Sequence, residues 1–191
     1  VPTGIVPASP VPRRDTPLRR LPTASPHAPG PRLAAQQFRN AVRERGGRAT
    51  SFEVWCAYQS ARVFHWPAEE LARAQAHAGG RVHNYLFSWA PPGLRYSVGA
   101  CHAIDIPFVF GLLSLPGFST LGLIPGLMTH AQRLSSRMQD AWVGFMRRGE
   151  PDHVELPRWD LYEPEHRASM RLDRQCGMVD RPLEGELDLI E

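Results

Sequence analysis

The residue best suited to chemistry is His102, in the segment GACHAIDIPFVF (residues 99–110). An imidazole titrates near neutral pH, so it is suited to proton transfer. This one follows a predicted strand, where α/β proteins gather their reactive groups. A histidine beside an apolar run is also a common hydrogen-bonded structural residue, and His102 alone leaves both interpretations open. Its neighbour Cys101 could act as a nucleophile, but adjacent residues in a turn usually diverge, which favours a small buried thiol.

Helical patterns occupy much of the chain around this segment. Apolar residues recur at helical spacing from Pro31 up to Gly46-Gly47, and Thr50 with Glu53 has the spacing of a capping box. The pattern AQRLSSRMQDAWVGFMRRG (residues 131–149) is the strongest of all. The predicted helices begin at Pro31, Thr50, Pro67 and Ala131.

Two stretches alternate with the period of a strand. RVHNYLFSW (Arg81–Trp89) is predicted to be a strand covered on both faces, and RASMRLD (Arg167–Asp173) is predicted to be another. No two predicted strands are close enough in sequence for a tight hairpin. Helices before and after strands predict an α/β fold with its strands in one sheet.

The N-terminal 31 residues differ in composition from the rest of the chain. Residues 1–31 hold nine of the 19 prolines and show no periodicity, so they are predicted to be a disordered leader before a domain at residues 32–191. Residues 1–50 carry nine arginines against two acidic residues. These arginines are interleaved with prolines and lack aromatic neighbours, which argues against nucleic-acid binding.

Other classes of partner are also disfavoured by the sequence. The three cysteines, Cys56, Cys101 and Cys176, have no ligand-like spacing, so neither a metal site nor a disulfide framework is expected. No other cofactor is expected either. Residues 106–128 carry no charge, but three prolines within them argue against a membrane span. The first residues do not resemble a signal peptide, and we therefore expect a cytoplasmic location.

Five motifs in order resemble the type B carboxylesterases, which include para-nitrobenzyl esterases and cholinesterases. GACHAIDIPFVF is similar to the family segment G-A-x-H-x-x-E-[LI]-P-[FY]-V-F, and RVHNYLFSW resembles the strand before it. VFHWPAEELARAQAHAGG resembles the helix before that strand, and RMQDAWVGFMRRGEPD resembles M-Q-x-x-W-x-x-F-A-x-x-G-x-P. RWDLYEP and RASMRLD are similar to the closing W-P-x-Y and the final strand.

This resemblance covers about residues 41–181 and implies the C-terminal portion of an α/β-hydrolase fold, with few strands and several helices. It implies hydrolysis of small carboxylic esters by a serine mechanism, with His102 as the general base. Asp105 stands where the family usually has Glu. It is expected to fix the His102 loop rather than to serve as the triad acid, which precedes the histidine in chain order.

The other parts of that machinery are not recognisable in the sequence. No serine has glycine both two residues before it and two after it, and Ser119 in GFSTLG fails at the second glycine. HAGG (residues 77–80) imitates an oxyanion loop, but it ends a predicted helix and is interpreted as a helix cap. No acidic residue lies in a triad-acid context. The chain is therefore expected to be inactive alone, as a fragment, half of a split enzyme, a non-catalytic interaction module or an inactive remnant.

Overall fold

The end of the first helix and the start of the second are those that the sequence predicts. A computed structural model describes residues 31–91, 99–115 and 127–190 of the chain. Helix α1 (Pro31–Glu44) is closed by the left-handed Gly46 that follows it, and the Gly47 amide donates to the Val42 carbonyl at 2.8 Å. Helix α2 (Ser51–Ser60) begins with the predicted capping box, in which Thr50 and Glu53 bond each other's backbone amides.

Helix α2 is continuous with the helix that follows it, although the sequence predicts a separate helix that begins at Pro67. It continues through a π-helical turn (Ala61–His65) into α3 (Trp66–His77). Proline has no amide hydrogen and its ring obstructs the preceding turn of an α-helix. In the wider turn the Trp66 amide donates to the Ala61 carbonyl, five residues back. The chain thereby passes Pro67 without a break.

Helix α3 ends in the manner that the HAGG segment predicts. Gly79 is left-handed, and the Gly80 amide donates to the Gln75 carbonyl at 2.9 Å. The interpretation of His77-Ala78-Gly79-Gly80 as a helix cap is therefore confirmed. The chain then turns directly into the first strand.

A three-stranded sheet contains both predicted strands and one that was missed. Strand β1 (Asn84–Phe87) pairs in parallel with β2 (Ser169–Leu172), and β2 pairs antiparallel with β3 (Gly177–Val179). The expectation of no tight hairpin is wrong, because β2 and β3 are joined by four residues. The Asp173 carboxylate accepts the Arg174 amide at 2.7 Å, and the Cys176 thiol donates to the Asp173 carbonyl across the turn at 3.4 Å. The turn contains neither glycine nor proline.

Three further helices complete the described part. They are α4 (Ile106–Val109), α5 (Leu127–Arg148) and α6 (Glu184–Leu187). Helix α5 packs against α4, and its apolar side joins one core cluster with β1 and β2. A second cluster joins α1, α2 and α6. The most deeply buried large side chains of the two clusters are Val42, Phe108, Leu134, Met138, Met170 and Leu172.

Some predictions fall on residues outside the described ranges. These are the leader up to Gly30, Ser119, and the middle of the apolar stretch at residues 106–128. The part of that stretch nearest His102 is α4, whose Phe108 is only 1% exposed in the core. None of the helices in the described ranges is both long and apolar enough to cross a bilayer. The α/β class of the prediction is confirmed.

Candidate active site

His102 lies in the loop between β1 and α4, where two successive turns expose it. The Ile104 amide donates to the Cys101 carbonyl, and the Ile106 amide donates to the Ala103 carbonyl, both at 3.2 Å. Ala103 has a φ of 66°, a left-handed conformation that is uncommon for a residue other than glycine. Such conformations cluster at functional sites, where the surrounding structure maintains them. His102 itself is exposed at the surface of this loop.

The side chain that contacts the His102 ring is Phe64, from the π-helical turn. The two rings are stacked, with centroids 4.5 Å apart and planes inclined by 20°. Phe64 is itself partly exposed. Within residues 31–91, 99–115 and 127–190, no group forms a hydrogen bond with the imidazole nitrogens of His102. One face of the ring is therefore supported by Phe64, and neither ring nitrogen is bonded by a residue of the described ranges.

Asp105 contacts strand β1 and helix α4 rather than His102. Its carbonyl accepts the amides of Phe108 and Val109 at 3.0 Å, which begins α4. Its carboxylate accepts the Tyr85 hydroxyl at 3.4 Å. Burial, reinforced by the Asp105 charge, raises the pKa of Tyr85, so this hydroxyl stays protonated as a donor. The residue thus connects β1 to the end of the His102 loop.

A second anchor holds the same end of the loop to α5. The buried Ser135 hydroxyl donates to the Phe108 carbonyl at 2.7 Å, and Gln139 donates to Ser135 Oγ at 2.9 Å. The Phe108 ring packs against Phe87 and Trp89, with centroids 5.1 and 4.8 Å away. The segment after His102 is therefore held in place both by the backbone carbonyl and by the ring of Phe108.

Cys101, next to His102, does not have the environment that the sequence predicts for it. Cys101 is exposed, so the expectation of a buried thiol is wrong, since the turn directs both Cys101 and His102 outward. In the parts of the chain that the structure describes, no three His, Cys, Asp or Glu side chains are grouped as metal ligands. The Phe64 stack was not predicted, because no pattern in the sequence relates residue 64 to residue 102.

A small cleft lies apart from His102 and was also not predicted. It has a volume of about 190 Å³ and includes the rings of His83, Tyr85, Trp142 and Trp159 in its wall. Both ring nitrogens of His83 are buried, and neither has a hydrogen-bond partner among the residues that the structure describes. Burial lowers the pKa of His83, with Arg81 contributing in the same direction, which favours the neutral ring.

Comparison with known proteins places these features in a family. A model described as the carboxylesterase family matches residues 34–189. The chain is 32% identical over 120 residues to the para-nitrobenzyl esterase of Bacillus subtilis (strain 168), covering 63% of this chain and 23% of that protein. It is 28% identical over 103 residues to the phenmedipham hydrolase of Pseudarthrobacter oxydans, covering 53% of this chain and 20% of that protein.

Solved structures extend the match to the fold. A carboxylesterase of Geobacillus stearothermophilus superposes with a TM-score of 0.68 at 27% identity, over 85% of this chain and 32% of that chain. The chain thus spans between a fifth and a quarter of the length of these curated relatives and about a third of this solved structure. The family match includes the His102 loop, the π-helical turn and all three strands. The chain belongs to the carboxylesterase family, and its fold is part of an α/β-hydrolase fold.

Proposed function

We propose that His102 is the general base of a serine carboxylesterase that acts on small-molecule esters. The observation that carries this proposal is the position of His102, exposed in a constrained loop within the region matched by the carboxylesterase family. The names of the relatives, para-nitrobenzyl esterase and phenmedipham hydrolase, support a small substrate with a hydrolysable carbonyl. They do not define its acyl or alcohol group.

The chemistry proposed for His102 is proton transfer in both directions. The neutral imidazole takes the proton of a serine hydroxyl as its oxygen attacks the ester carbonyl. The imidazolium then returns the proton to the leaving alcohol. In the second half of the cycle the imidazole takes a proton from water, whose oxygen attacks the acyl-serine, and returns it to the serine oxygen. The Phe64 stack supports the ring, and no residue in the described ranges bonds its two nitrogens, which this proposal assigns to the serine and the triad acid.

Asp105 is proposed as a positioning residue in this site. It touches Tyr85 on β1 and begins α4, and forms no hydrogen bond with His102 within the described residues. Its replacement is therefore expected to displace the loop rather than to remove a reacting group. We expect Asp105→Asn to lose less esterase activity than a His102 substitution does, and to leave the pH profile of that activity unchanged.

The serine, the triad acid and the oxyanion donors are proposed to come from polypeptide beyond these 191 residues. No serine of this sequence has the G-x-S-x-G context in which the hydroxyl is exposed at a sharp turn. Removal of triad members leaves only residual catalysis in serine hydrolases. The 191-residue chain is therefore expected to show no esterase activity and no labelling by a serine-reactive organophosphonate.

The test of His102 supplies a nucleophile from a relative. The chain is co-expressed with the para-nitrobenzyl esterase of Bacillus subtilis truncated before the 120-residue region that matches this chain. We expect hydrolysis of a para-nitrobenzyl ester that falls at least about 1,000-fold in His102→Gln and is retained in His130→Gln, an exposed control on α5. Equal activity of the two variants, or stoichiometric labelling of the chain alone, would contradict the proposal.

A non-catalytic interaction module is the alternative that the missing serine context favours. In that case the chain binds a partner through the same fold, and His102 has no role in any reaction. A stable complex that hydrolyses no ester with either wild-type or His102→Gln chain is the result expected of such a module. An inactive remnant would form neither the complex nor the activity.

A further inference from the structure

The ring of His102 rests against an aromatic side chain from a distant part of the chain. Phe64, in the π-helical turn, is stacked on the imidazole with centroids 4.5 Å apart and planes inclined by 20°. A separation of this size is at the close end of the range for aromatic pairs in proteins. His102 is an exposed residue, so the contact with Phe64 is a specific constraint on a side chain at the surface.

The direction of the Phe64 side chain depends on the π-helical turn. Side chains of an α-helix follow one another at about 100° around the helix axis. In this turn the Trp66 amide donates to the Ala61 carbonyl, five residues back, so one extra residue is accommodated before the α-helix resumes. Phe64 therefore points in a different direction from the one that it would have in an uninterrupted α-helix. Such turns are frequent at functional sites.

Buried groups on both sides of Phe64 hold this turn in place. Ala61, the first residue of the turn, is 1% exposed in the second core cluster, and Trp66 packs against the same cluster. Further along α3, the buried Glu69 accepts the Tyr162 hydroxyl. Phe64 is thus an exposed side chain on a segment whose backbone is anchored before and after it.

The loop that carries His102 is also fixed in its backbone, by the two turn bonds at Cys101 and Ala103 and by the contact of Asp105 with Tyr85. The imidazole itself forms no hydrogen bond within the described residues. Rotation about the Cα–Cβ and Cβ–Cγ bonds of His102 is therefore not restricted by hydrogen bonding in those ranges. The stack on Phe64 limits this rotation, because tilting the imidazole would press its edge into the phenyl ring.

We propose that Phe64 is a positioning residue that fixes the orientation of the His102 ring. This inference rests on the proposed function, in which His102 is the general base. The two ring planes are nearly parallel, so hydrogen bonds in the plane of the imidazole run roughly parallel to the Phe64 ring. The serine and the triad acid must therefore approach His102 within that plane. A base that is already held in its reacting orientation loses less freedom in the reaction, and small displacements of it are costly.

The first experiment measures the stack in the 191-residue chain by NMR spectroscopy. The ring current of a phenyl group shields protons that lie over its face, so the imidazole protons of His102 are expected to resonate upfield. His102→Gln identifies these signals by their loss. We expect Phe64→Leu to move them downfield. Phe52→Leu removes an exposed phenyl ring from α2 and is expected to leave them unchanged.

The second experiment measures esterase activity, with the truncated Bacillus subtilis esterase as the source of the serine. Phe64→Leu keeps an apolar side chain without the flat ring, and we expect kcat to fall at least about ten-fold with KM within about two-fold. Phe64→Tyr retains the ring and is expected to keep kcat within about two-fold of wild type. Phe52→Leu is the matched control and is expected to behave like wild type. The circular dichroism spectrum of each free variant establishes that its helices are intact.

Three results would overturn the positioning role of Phe64. The first is a set of His102 signals that do not move in Phe64→Leu, which would mean that the two rings are not stacked. The second is a loss of kcat in Phe64→Tyr as large as that in Phe64→Leu, or no loss in either variant. The third is a rise in KM with kcat unchanged, which would place Phe64 against the substrate rather than against the base.

Failure of the proposed function gives a different combination of results. The His102 signals would still depend on Phe64, but hydrolysis would be absent or equally fast in His102→Gln. The stack would then be established by NMR spectroscopy, while the assignment of His102 as the base, and with it the positioning role of Phe64, would be overturned.

Discussion

Ser135 is a single buried hydroxyl on which the geometry of the His102 loop depends. It donates to the Phe108 carbonyl at 2.7 Å and accepts from Gln139 at 2.9 Å, so it joins α4 to α5. Phe108 is buried with it and Gln139 is half-buried, so water has little access to the bond between Ser135 and the Phe108 carbonyl. The loss of one member of such a group leaves the other polar atoms buried without partners.

Replacement of Ser135 by alanine is expected to lower the free energy of unfolding by about 1–3 kcal/mol. The control is Ser136→Ala, one residue later on the exposed side of α5, for which we expect a change within about 0.5 kcal/mol. Urea unfolding followed by circular dichroism measures both. Equal effects of the two substitutions would mean that the Ser135 hydroxyl contributes no specific bond.

The sequence motif predicts His102 as the base but does not predict the residues that contact its loop. His102 is recognisable because the surrounding twelve residues form a continuous motif. The contacts of Phe64 with His102 and of Ser135 with Phe108 join residues far apart in the chain, and no local pattern encodes them. The exposure of Cys101 was likewise mispredicted, because no local pattern gives the direction of its side chain in this loop.

At the scale of elements, a buried polar group ties α3 to the sheet. Glu69 of α3 is 4% exposed and accepts the Tyr162 hydroxyl, and Arg167 Nε lies 3.6 Å from the same carboxylate oxygen. The Tyr162 amide donates to the Val82 carbonyl at 2.8 Å, just before β1. Tyr162 therefore connects the helix that leads from the Phe64 turn with the strand that leads to His102.

Replacement of Tyr162 by phenylalanine is expected to cost about 1–3 kcal/mol, because the buried Glu69 loses a donor. Tyr58→Phe is the matched control. Tyr58 packs its ring on Phe38 at 5.4 Å, and its hydroxyl has no hydrogen bond within the described residues. Urea unfolding at pH 7 measures the difference. A cost for Tyr58→Phe as large as that for Tyr162→Phe would contradict the role of the Glu69 bond.

The effect of Tyr162→Phe on stability is predicted to depend on pH. Burial and the Glu69 carboxylate raise the pKa of Tyr162 far above its ordinary value of 10. In the unfolded chain Tyr162 ionises at a lower pH than in the folded chain. The contribution of its shifted pKa to stability is therefore complete below pH 10 and is lost as the pH rises above it. In Tyr162→Phe this part of the decline is expected to be absent, which unfolding measurements at pH 9, 10 and 10.5 would reveal.

Elements were predictable where a local signal defines both ends. The capping box of Thr50 and the glycine caps at Gly46 and Gly79 gave helix ends that the structure confirms. The π-helical turn was not predictable, because Pro67 normally indicates a new helix. Strand β3 is only three residues long, and it forms because β2 is already in place to pair with it.

At the scale of the whole molecule, the order of motifs was more informative than composition. Five motifs in the family order predicted the α/β-hydrolase fold, and the match over residues 34–189 confirms it. Net charge and hydrophobic content would fit many globular domains. The exposure of Phe52 and Trp55 on α2 could not be predicted, since apolar residues around a helix indicate burial without naming what covers them.

Stability of the whole chain is expected to fall in mild acid because two histidines are held neutral. Burial lowers the pKa of His65, with Arg45 contributing in the same direction, and burial likewise lowers that of His83. The unfolded chain binds protons at these histidines near their ordinary pKa of 6.5, before the folded chain does. Their contribution to stability is therefore complete above pH 6.5 and is lost as the pH falls below it.

Urea midpoints at pH 7.5, 6.5 and 5.5 measure this loss. His65→Gln removes one of the two groups, so the midpoint is expected to fall less between pH 7.5 and 5.5 than in wild type. Arg62→Gln is the control in the same π-helical turn, because it changes the charge without removing a group that titrates in this range. A pH dependence of His65→Gln as steep as that of the wild type would show that His65 is protonated in the folded chain as readily as in the unfolded one.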